Sequence, residues 1–299
     1  MLELPDSPRT LGQAIEDCAM RLERAGVHFG HGTDNACDEA AALVLAAAGV
    51  DHDMPGAAAL MVTPDVQRRI DEFMRRRIDE RVPLPYITGE AWFAGLRFLV
   101  DRRVLIPRSP FAELLAGAID PWLPSRPVRR ILEIGTGSGC IAIAAALAFP
   151  DSRVGATDLS MDALELARIN RARHGLDDRI DLVCTDLFDG LHGRFDLILS
   201  NPPYVPDRQR DELPAEYAHE PALALYSGED GLDSPRRILQ DAAGYLNDDG
   251  LLALEVGDGW VRFEAAFPRL AMIWPEFESG GEGIALVTAQ ALRDAAAVG

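Results

Sequence analysis

What this sequence has little of narrows its function before any motif is read. Four cysteines occur in 299 residues, Cys18, Cys37, Cys140 and Cys184, and no two form a CxxC pair. Thiols so scattered exclude a zinc ribbon or a disulfide framework and are expected to be reduced and mostly buried. His28 and His31 stand close together, but no second ligand pair follows at a useful spacing, so no metal site is expected. Long apolar runs are also missing, and none reaches the ~20 residues that a helix needs to span a bilayer, so no membrane partner is expected. The opening stretch from Met1 to Gln13 lacks the basic-then-apolar order of a secretory leader, which points to a cytoplasmic protein. Positive charge is short as well: 29 basic residues face 48 acidic ones, a net charge of −19. A general nucleic-acid binder draws most of its affinity from basic groups neutralising phosphates, so no dedicated nucleic-acid binding is expected. An acidic surface suits a basic protein partner instead.

No repeat or low-complexity linker interrupts the chain. The first 80 or so residues read as helices. Residues 34–50 are Ala-rich around Leu43, Val44 and Leu45, with Gly49 near the end. Residues 64–81 open with Thr63 as an N-cap and Pro64 in the first turn, carry Val66, Ile70, Phe73, Met74 and Ile78 near helical spacing, and stop at Pro83 and Pro85. Aromatic and β-branched residues then flank Ala94-Gly95, which suggests a hairpin between Tyr86 and Ile106. The expected organisation is a helical substrate-recognition domain over 1–83, a β-hairpin connector over 84–107, and an α/β domain over 108–299. In the last of these, short apolar strands at 131–134, 153–157, 180–184, 195–200, 251–256 and 284–288 alternate with helical stretches. That alternation argues for a mostly parallel sheet covered on both faces, with ligands beyond the carboxyl ends of its strands.

The first of these strands runs into Glu133-Ile134-Gly135-Thr136-Gly137-Ser138-Gly139-Cys140, and an apolar helix follows. Glycines let backbone approach a ligand closely, and a helix N-terminus offers unpaired N–H groups. A dinucleotide fingerprint would need Gly or Ala where Cys140 stands, and a phosphate loop would need Gly-Lys-Ser/Thr, so both are excluded. The second strand ends at Asp158, about 20 residues past the loop, where a carboxylate can accept both ribose hydroxyl hydrogens. Asp158 is also placed to act as a helix N-cap before Leu159-Ser160. The third strand ends at Asp186, positioned to accept from an adenine amino group, with Leu187 and Phe188 against the ring.

The fourth strand delivers Asn201-Pro202-Pro203-Tyr204, the most specific signal in the chain. Two prolines fix the loop and remove two N–H donors. The Asn201 side-chain oxygen and the Pro202 carbonyl are then free to accept both hydrogens of one NH2 group, and Tyr204 offers a flat face for a planar conjugated group. An amide nitrogen is a poor nucleophile because its lone pair is delocalised. Holding it by both hydrogens aims it at an electrophile and stabilises the positive charge that grows on it.

These motifs resemble the protein N5-glutamine methyltransferases, and the resemblance covers nearly the whole chain: the helical N-terminus, the hairpin, Ile106-Pro107-Arg108, the 135–139 loop, Asn201–Tyr204 and His219-Glu220-Pro221. It implies a Rossmann-like, seven-stranded class I methyltransferase sheet with an antiparallel last pair, and S-adenosylmethionine as cofactor. The cofactor positions it implies are Glu133, Gly135, Thr136, Gly137, Gly139, Asp158, Asp186, Leu187 and Asn201. Asn201, Pro202, Pro203 and Tyr204 would hold the amide, with Asn201, Pro202 and Tyr204 catalytic, and Arg108, Ser109 and Pro110 would form a lid over cofactor or substrate. Leu187 departs from the tryptophan of release-factor enzymes. Ile-Pro-Arg is typically followed by Pro-Asp-Thr-Glu in the release-factor branch; here Arg108-Ser109-Pro110-Phe111-Ala112-Glu113 is similar to the branch acting on the third protein of the large ribosomal subunit, as are residues 216–221 and 274–277. The expected partner is therefore a basic ribosomal protein. A release factor as substrate, an amino methyltransferase of DNA or RNA, and a non-catalytic binding module are the alternatives.

Overall fold

The computed structural model of the chain describes residues 9–278 and 283–297. The stretch 1–8, part of the segment read above for a leader, lies outside the described residues. Two units can be distinguished, one formed by Met1–Ala91 with Pro214–His219 and the other by Trp92–Leu213 with Glu220–Gly299.

The first unit is built from capped helices. Leu11–Ala25 starts at a reciprocal capping box, in which the Gln13 N–H donates to Thr10 Oγ1 and the Thr10 N–H donates to the Gln13 side chain, and it stops at left-handed Gly26. Ala36–Ala48 runs from an Asn35 cap to Gly49, and Pro64–Ile78 starts on Thr63. Arg77 is fully buried among them and is held by Glu39 at 2.5 Å, Glu216 at 2.9 Å and the His28 carbonyl at 2.6 Å. A buried guanidinium is tolerated only with such partners. Glu216 comes from the distant segment Pro214–His219, and this ion pair ties that segment into the helical unit. The expected hairpin is present as β1 (Glu90–Phe93) and β2 (Leu96–Leu99), preceded by a helical turn over Leu84–Thr88, so the paired strands are shorter than the 84–107 connector.

The second unit is a twisted α/β layer structure. Its strands are β3 (Arg130–Ile134), β4 (Arg153–Asp158), β5 (Ile180–Cys184), β6 (Phe195–Ser200), β7 (Leu246–Glu255) and β8 (Ile284–Thr288), in spatial order β5-β4-β3-β6-β7-β8. All neighbours are parallel except the last pair, β7 with β8. Among the described residues the sheet has six strands. Ile273 makes a single antiparallel bridge to Leu286 on β8, in place of the seventh strand expected.

Side chains alternate between two cores. Ile131, Leu197, Leu199 and Leu251 join one, while Leu132, Ile134, Ile198 and Leu252 join the other. The helix Cys140–Ala148 is apolar almost all round and is buried over most of its surface. The chain steps from β3 outward to β4 and β5, then returns to the other side of β3 with β6. The strand order therefore reverses between β3 and β6, and the loops after these two strands open a crevice there.

Candidate active site

That crevice holds the glycine loop and the proline loop side by side. The Ser200 hydroxyl, at the end of β6, donates to the Ile134 carbonyl at 2.9 Å, which fixes the two strand ends together. The loop after β3 is pinned to the end of β4: the N–H groups of Gly135 and Thr136 both donate to the Thr157 carbonyl, and the Gly137 N–H donates to Asp158 Oδ2 at 2.8 Å. Gly135, Gly137 and Gly139 all have positive φ, at 74°, 55° and 82°. They serve different ends. A Cβ at Gly137 would meet no protein atom within 4 Å, whereas one at Gly139 would lie 3.3 Å from the Ala167 Cβ. Gly137 keeps space open and Gly139 lets two helices pack.

The crevice widens into a cavity of about 270 Å³. Its walls include Glu133, Gly135, Thr136, Gly137, Asp158, Asp186, Leu187, Asn201 and Pro203. Glu133 is buried at the end of β3; its Oε2 accepts from the Thr136 hydroxyl at 2.5 Å while its Oε1 has no hydrogen-bond partner. Burial pushes its carboxyl up to about 8 against the lowering effect of Thr136. Burial also raises the Asp158 carboxyl above its usual range, opposed by the N–H groups of Ser160, Gly137 and Leu159. Asp158 thus accepts backbone hydrogens from its own turn and from the glycine loop.

Tyr204 completes the proline loop. Its hydroxyl donates to Glu255 Oε1 at 3.2 Å, and burial, reinforced by the Glu255 charge, raises the phenol well above its ordinary range.

The family described as Methyltransferase small domain matches residues 114–228. The ribosomal protein uL3 glutamine methyltransferase of Bordetella pertussis is 47% identical over 288 residues, covering 95% of this chain and 97% of that one. Its counterpart from Xanthomonas campestris is 45% identical, covering 96% and 94%. The chain belongs to the ribosomal protein uL3 glutamine methyltransferase family. Among solved structures, the hMettl16 catalytic domain in complex with a 3′UTR hairpin is similar with a TM-score of 0.52 at 17% identity, over 76% of this chain and 82% of that one, a likeness of fold.

In this member of the uL3 glutamine methyltransferase family, Gly139, Phe188, Pro202 and Tyr204, all anticipated at the site, do not line the cavity. Phe188 was expected against an adenine ring; it is instead 2% exposed, lies in the core and stacks on Tyr245 with ring centroids 4.7 Å apart. Leu187 takes the left-handed conformation, φ 51°, and it is Leu187 that lines the cavity. Asp186 is held by Arg237 at 2.8 Å, and Arg237 also lines the cavity. Pro202 is buried behind the loop, and Tyr204 is half-buried.

The segment anticipated as a lid is anchored at several points. Arg108 grips both oxygens of Glu220, at 2.7 and 2.8 Å, and Glu220 also accepts the Ile106 N–H at 3.0 Å. Ser109 donates to Glu255 Oε2. Pro110 opens the short helix Phe111–Glu113. Reading the residues singled out Arg108 and Ser109 but neither acidic partner as a functional group. Glu220 stands in the sequence reading only within His219-Glu220-Pro221, and Glu255 only inside the apolar strand read over 251–256, which the structure ends at Glu255. A lone charge closing such a strand is a signal that could have marked Glu255.

Proposed function

We propose that this enzyme transfers a methyl group from S-adenosylmethionine to the side-chain amide nitrogen of a glutamine in ribosomal protein uL3. The observation that carries the proposal is the 47% identity with a uL3 glutamine methyltransferase along almost the full length of both chains. The Asn201–Tyr204 loop supports it chemically, since its acceptors suit a planar amide.

The cavity residues fit the cofactor. Glu133 has a buried oxygen, Oε1, with no hydrogen-bond partner, suited to a donor such as an ammonium group. Gly137 leaves open space where any other residue would project a side chain. Asp158 would take the ribose hydroxyls, Asp186 the adenine amino group, and Gly135, Thr136 and Leu187 would shape the walls around them. S-adenosylmethionine supplies an electrophilic methyl group on a cationic sulfur.

The protein's own part is positioning and charge stabilisation. The Asn201 side-chain oxygen and the Pro202 carbonyl accept the two amide hydrogens, which holds the nitrogen in one orientation. As positive charge develops on that nitrogen, the two oxygens stabilise it without reorganising. Tyr204 and Pro203 confine the amide plane. Arg108, Ser109 and Pro110 form the adjoining wall. The cytoplasm is the compartment proposed, where new ribosomal protein is available; among the described residues no helix is long and apolar enough to cross a membrane.

The test is transfer of labelled methyl from S-adenosylmethionine into a cell extract, followed by mass mapping of the product. Label on a glutamine of uL3 is the expected result. Label confined to nucleic acid would overturn the proposal.

A further inference from the structure

We propose that Glu255 is a positioning residue for the methyl acceptor: its carboxylate binds the Ser109 hydroxyl with one oxygen and the Tyr204 hydroxyl with the other, and so fixes the ring against which the amide lies. The proposal rests on reading Asn201–Tyr204 as the amide pocket.

Glu255 is the last residue of β7, where the register pairs Leu254 with Ser200 at the end of β6. Parallel pairing therefore brings its side chain beside the proline loop, although the two are far apart in sequence. The residue is 4% exposed. Its Oε1 accepts the Tyr204 hydroxyl and its Oε2 accepts the Ser109 hydroxyl. The Ser109 oxygen in turn accepts the Phe111 N–H at 3.1 Å, which leaves the single Ser109 proton for Glu255. Both hydroxyl protons thus point at one carboxylate.

A position that needed only to be filled would be filled more stably by an apolar side chain, since burying a carboxylate carries a large desolvation cost. The charged group facing Glu255 is Arg108, and its own charge is taken up by Glu220, to which it makes two hydrogen bonds. Asp258 lies on the Tyr204 side. The carboxylate is therefore only partly compensated, and what it secures is the direction of two hydroxyls.

The Tyr204 ring is held on a second side by bare backbone. A Cβ at Gly257 would lie 2.7–3.0 Å from its Cε2, Cζ and hydroxyl oxygen. With the hydroxyl tied to Glu255 and the ring edge against Gly257, the ring has one orientation before any acceptor arrives. Such preorganisation lowers the entropic cost of holding the amide in line. Neither Glu255 nor Tyr204 lines the cavity, whereas Ser109, the other partner of Glu255, does.

Glu255→Gln keeps the shape but offers one acceptor oxygen and one NH2 donor, so it serves one hydroxyl at most as an acceptor. The expected result is a fall in kcat of roughly 10-fold or more on purified uL3, with S-adenosylhomocysteine affinity unchanged in calorimetry. Tyr204→Phe should lose a similar amount. The double variant should be no slower than the slower single variant, because both changes act through the same ring. A wild-type rate in folded Glu255→Gln overturns the proposal, as does a double variant whose losses multiply or a matching loss of cofactor affinity. If Glu255→Gln does not fold, Ser109→Ala carries the test: a several-fold drop in kcat with S-adenosylhomocysteine affinity unchanged supports the proposal, and an unchanged kcat or a matching loss of affinity overturns it. Asn201→Ala separates the two readings. If it too retains the wild-type rate, the amide pocket itself is misassigned; if it is inactive while Glu255→Gln is not, only the role of Glu255 fails.

Discussion

The backbone N–H of Gly137 donates to Oδ2 of Asp158 at 2.8 Å, so the tip of the glycine loop is tied to the end of the neighbouring strand. The same carboxylate takes the Ser160 N–H through Oδ1, while the N-cap of the next helix is Ser160, whose hydroxyl accepts the Ala163 N–H, and not Asp158. Asp158 thus organises the loop and presents acceptor capacity to the cavity at once. Losing charge-assisted bonds to a ribose diol should weaken cofactor binding by roughly 2–4 kcal/mol. Calorimetry of S-adenosylhomocysteine binding to Asp158→Ala measures this. Unchanged affinity in a folded variant would remove Asp158 from the cofactor site.

Gly137 and Gly139 make a contrasting pair. Both have positive φ, so alanine at either is strained by about 1–2 kcal/mol. At Gly137 the new methyl would meet no protein atom and would stand in open space; at Gly139 it would press on Ala167 at 3.3 Å. Gly137→Ala is therefore expected to lose cofactor affinity beyond its loss of stability, and Gly139→Ala to lose mainly stability. Urea unfolding and ligand titration on both variants check the split. Equal patterns in the two would sink the distinction.

Asn201 offers a cleaner separation of binding from chemistry. Asn201→Ala should retain much of the cofactor affinity and lose ~10²-fold or more in transfer rate, the usual scale for one preorganised polar contact. Single-turnover rates with saturating cofactor measure the chemistry directly. Turnover near the wild-type rate would show that Asn201 does not receive the amide.

The sheet was legible because its strands are short apolar runs separated by helices: 195–200, 180–184 and 284–288 were read with the bounds the structure has, and β3 and β4 differ by one residue each. The cofactor loop and the proline loop were legible because each is contiguous in sequence. What escaped depends on contacts between distant positions. Arg108 and Glu220 are 112 residues apart, and Ser109 and Glu255 are 146 apart. The outlying segment around Glu216 joins the helical unit through the buried Arg77, the His28 N–H and the packing of Tyr217 on His28 and His31, which no local pattern marks. Phe188 misled for a related reason. It follows the expected adenine site directly, but the left-handed turn at Leu187 sends the chain inward and buries the ring on Tyr245.

Two buried carboxyls make stability depend on pH in an unusual direction. Burial raises Glu255 to about 7 and Glu133 to about 8, from 4.5 for each when exposed. The folded state therefore binds protons more tightly than the unfolded chain. The stabilisation from each is fully present below about pH 4.5 and is lost as pH rises through 7 and 8. At roughly 1.4 kcal/mol for each pH unit of displacement, the loss is on the order of 3 kcal/mol or more for each group. Glu255→Gln removes one of the two titrations, so the wild-type protein should lose stability relative to this variant between pH 5 and pH 8. Urea unfolding at both pH values gives the difference, and a difference that does not change with pH would contradict the burial assigned to Glu255.

After Ile106-Pro107-Arg108 the chain runs Ser109-Pro110-Phe111, where the release-factor branch continues Pro-Asp-Thr, and in this structure the difference has a physical consequence. Ser109 supplies a hydroxyl to Glu255, and a proline at that position has none to give. Net charge acts at longer range: at −19 the protein should attract a basic ribosomal protein and capture it faster at low salt than at high salt. Purified uL3 and a purified release factor, assayed side by side with labelled S-adenosylmethionine, should give efficient labelling of uL3 and essentially none of the release factor. The kcat/KM for uL3 should fall as ionic strength rises. Labelling of the release factor alone would move this chain to the sister branch with its chemistry intact, and labelling of neither, with label on DNA instead, would overturn the protein-amide reading.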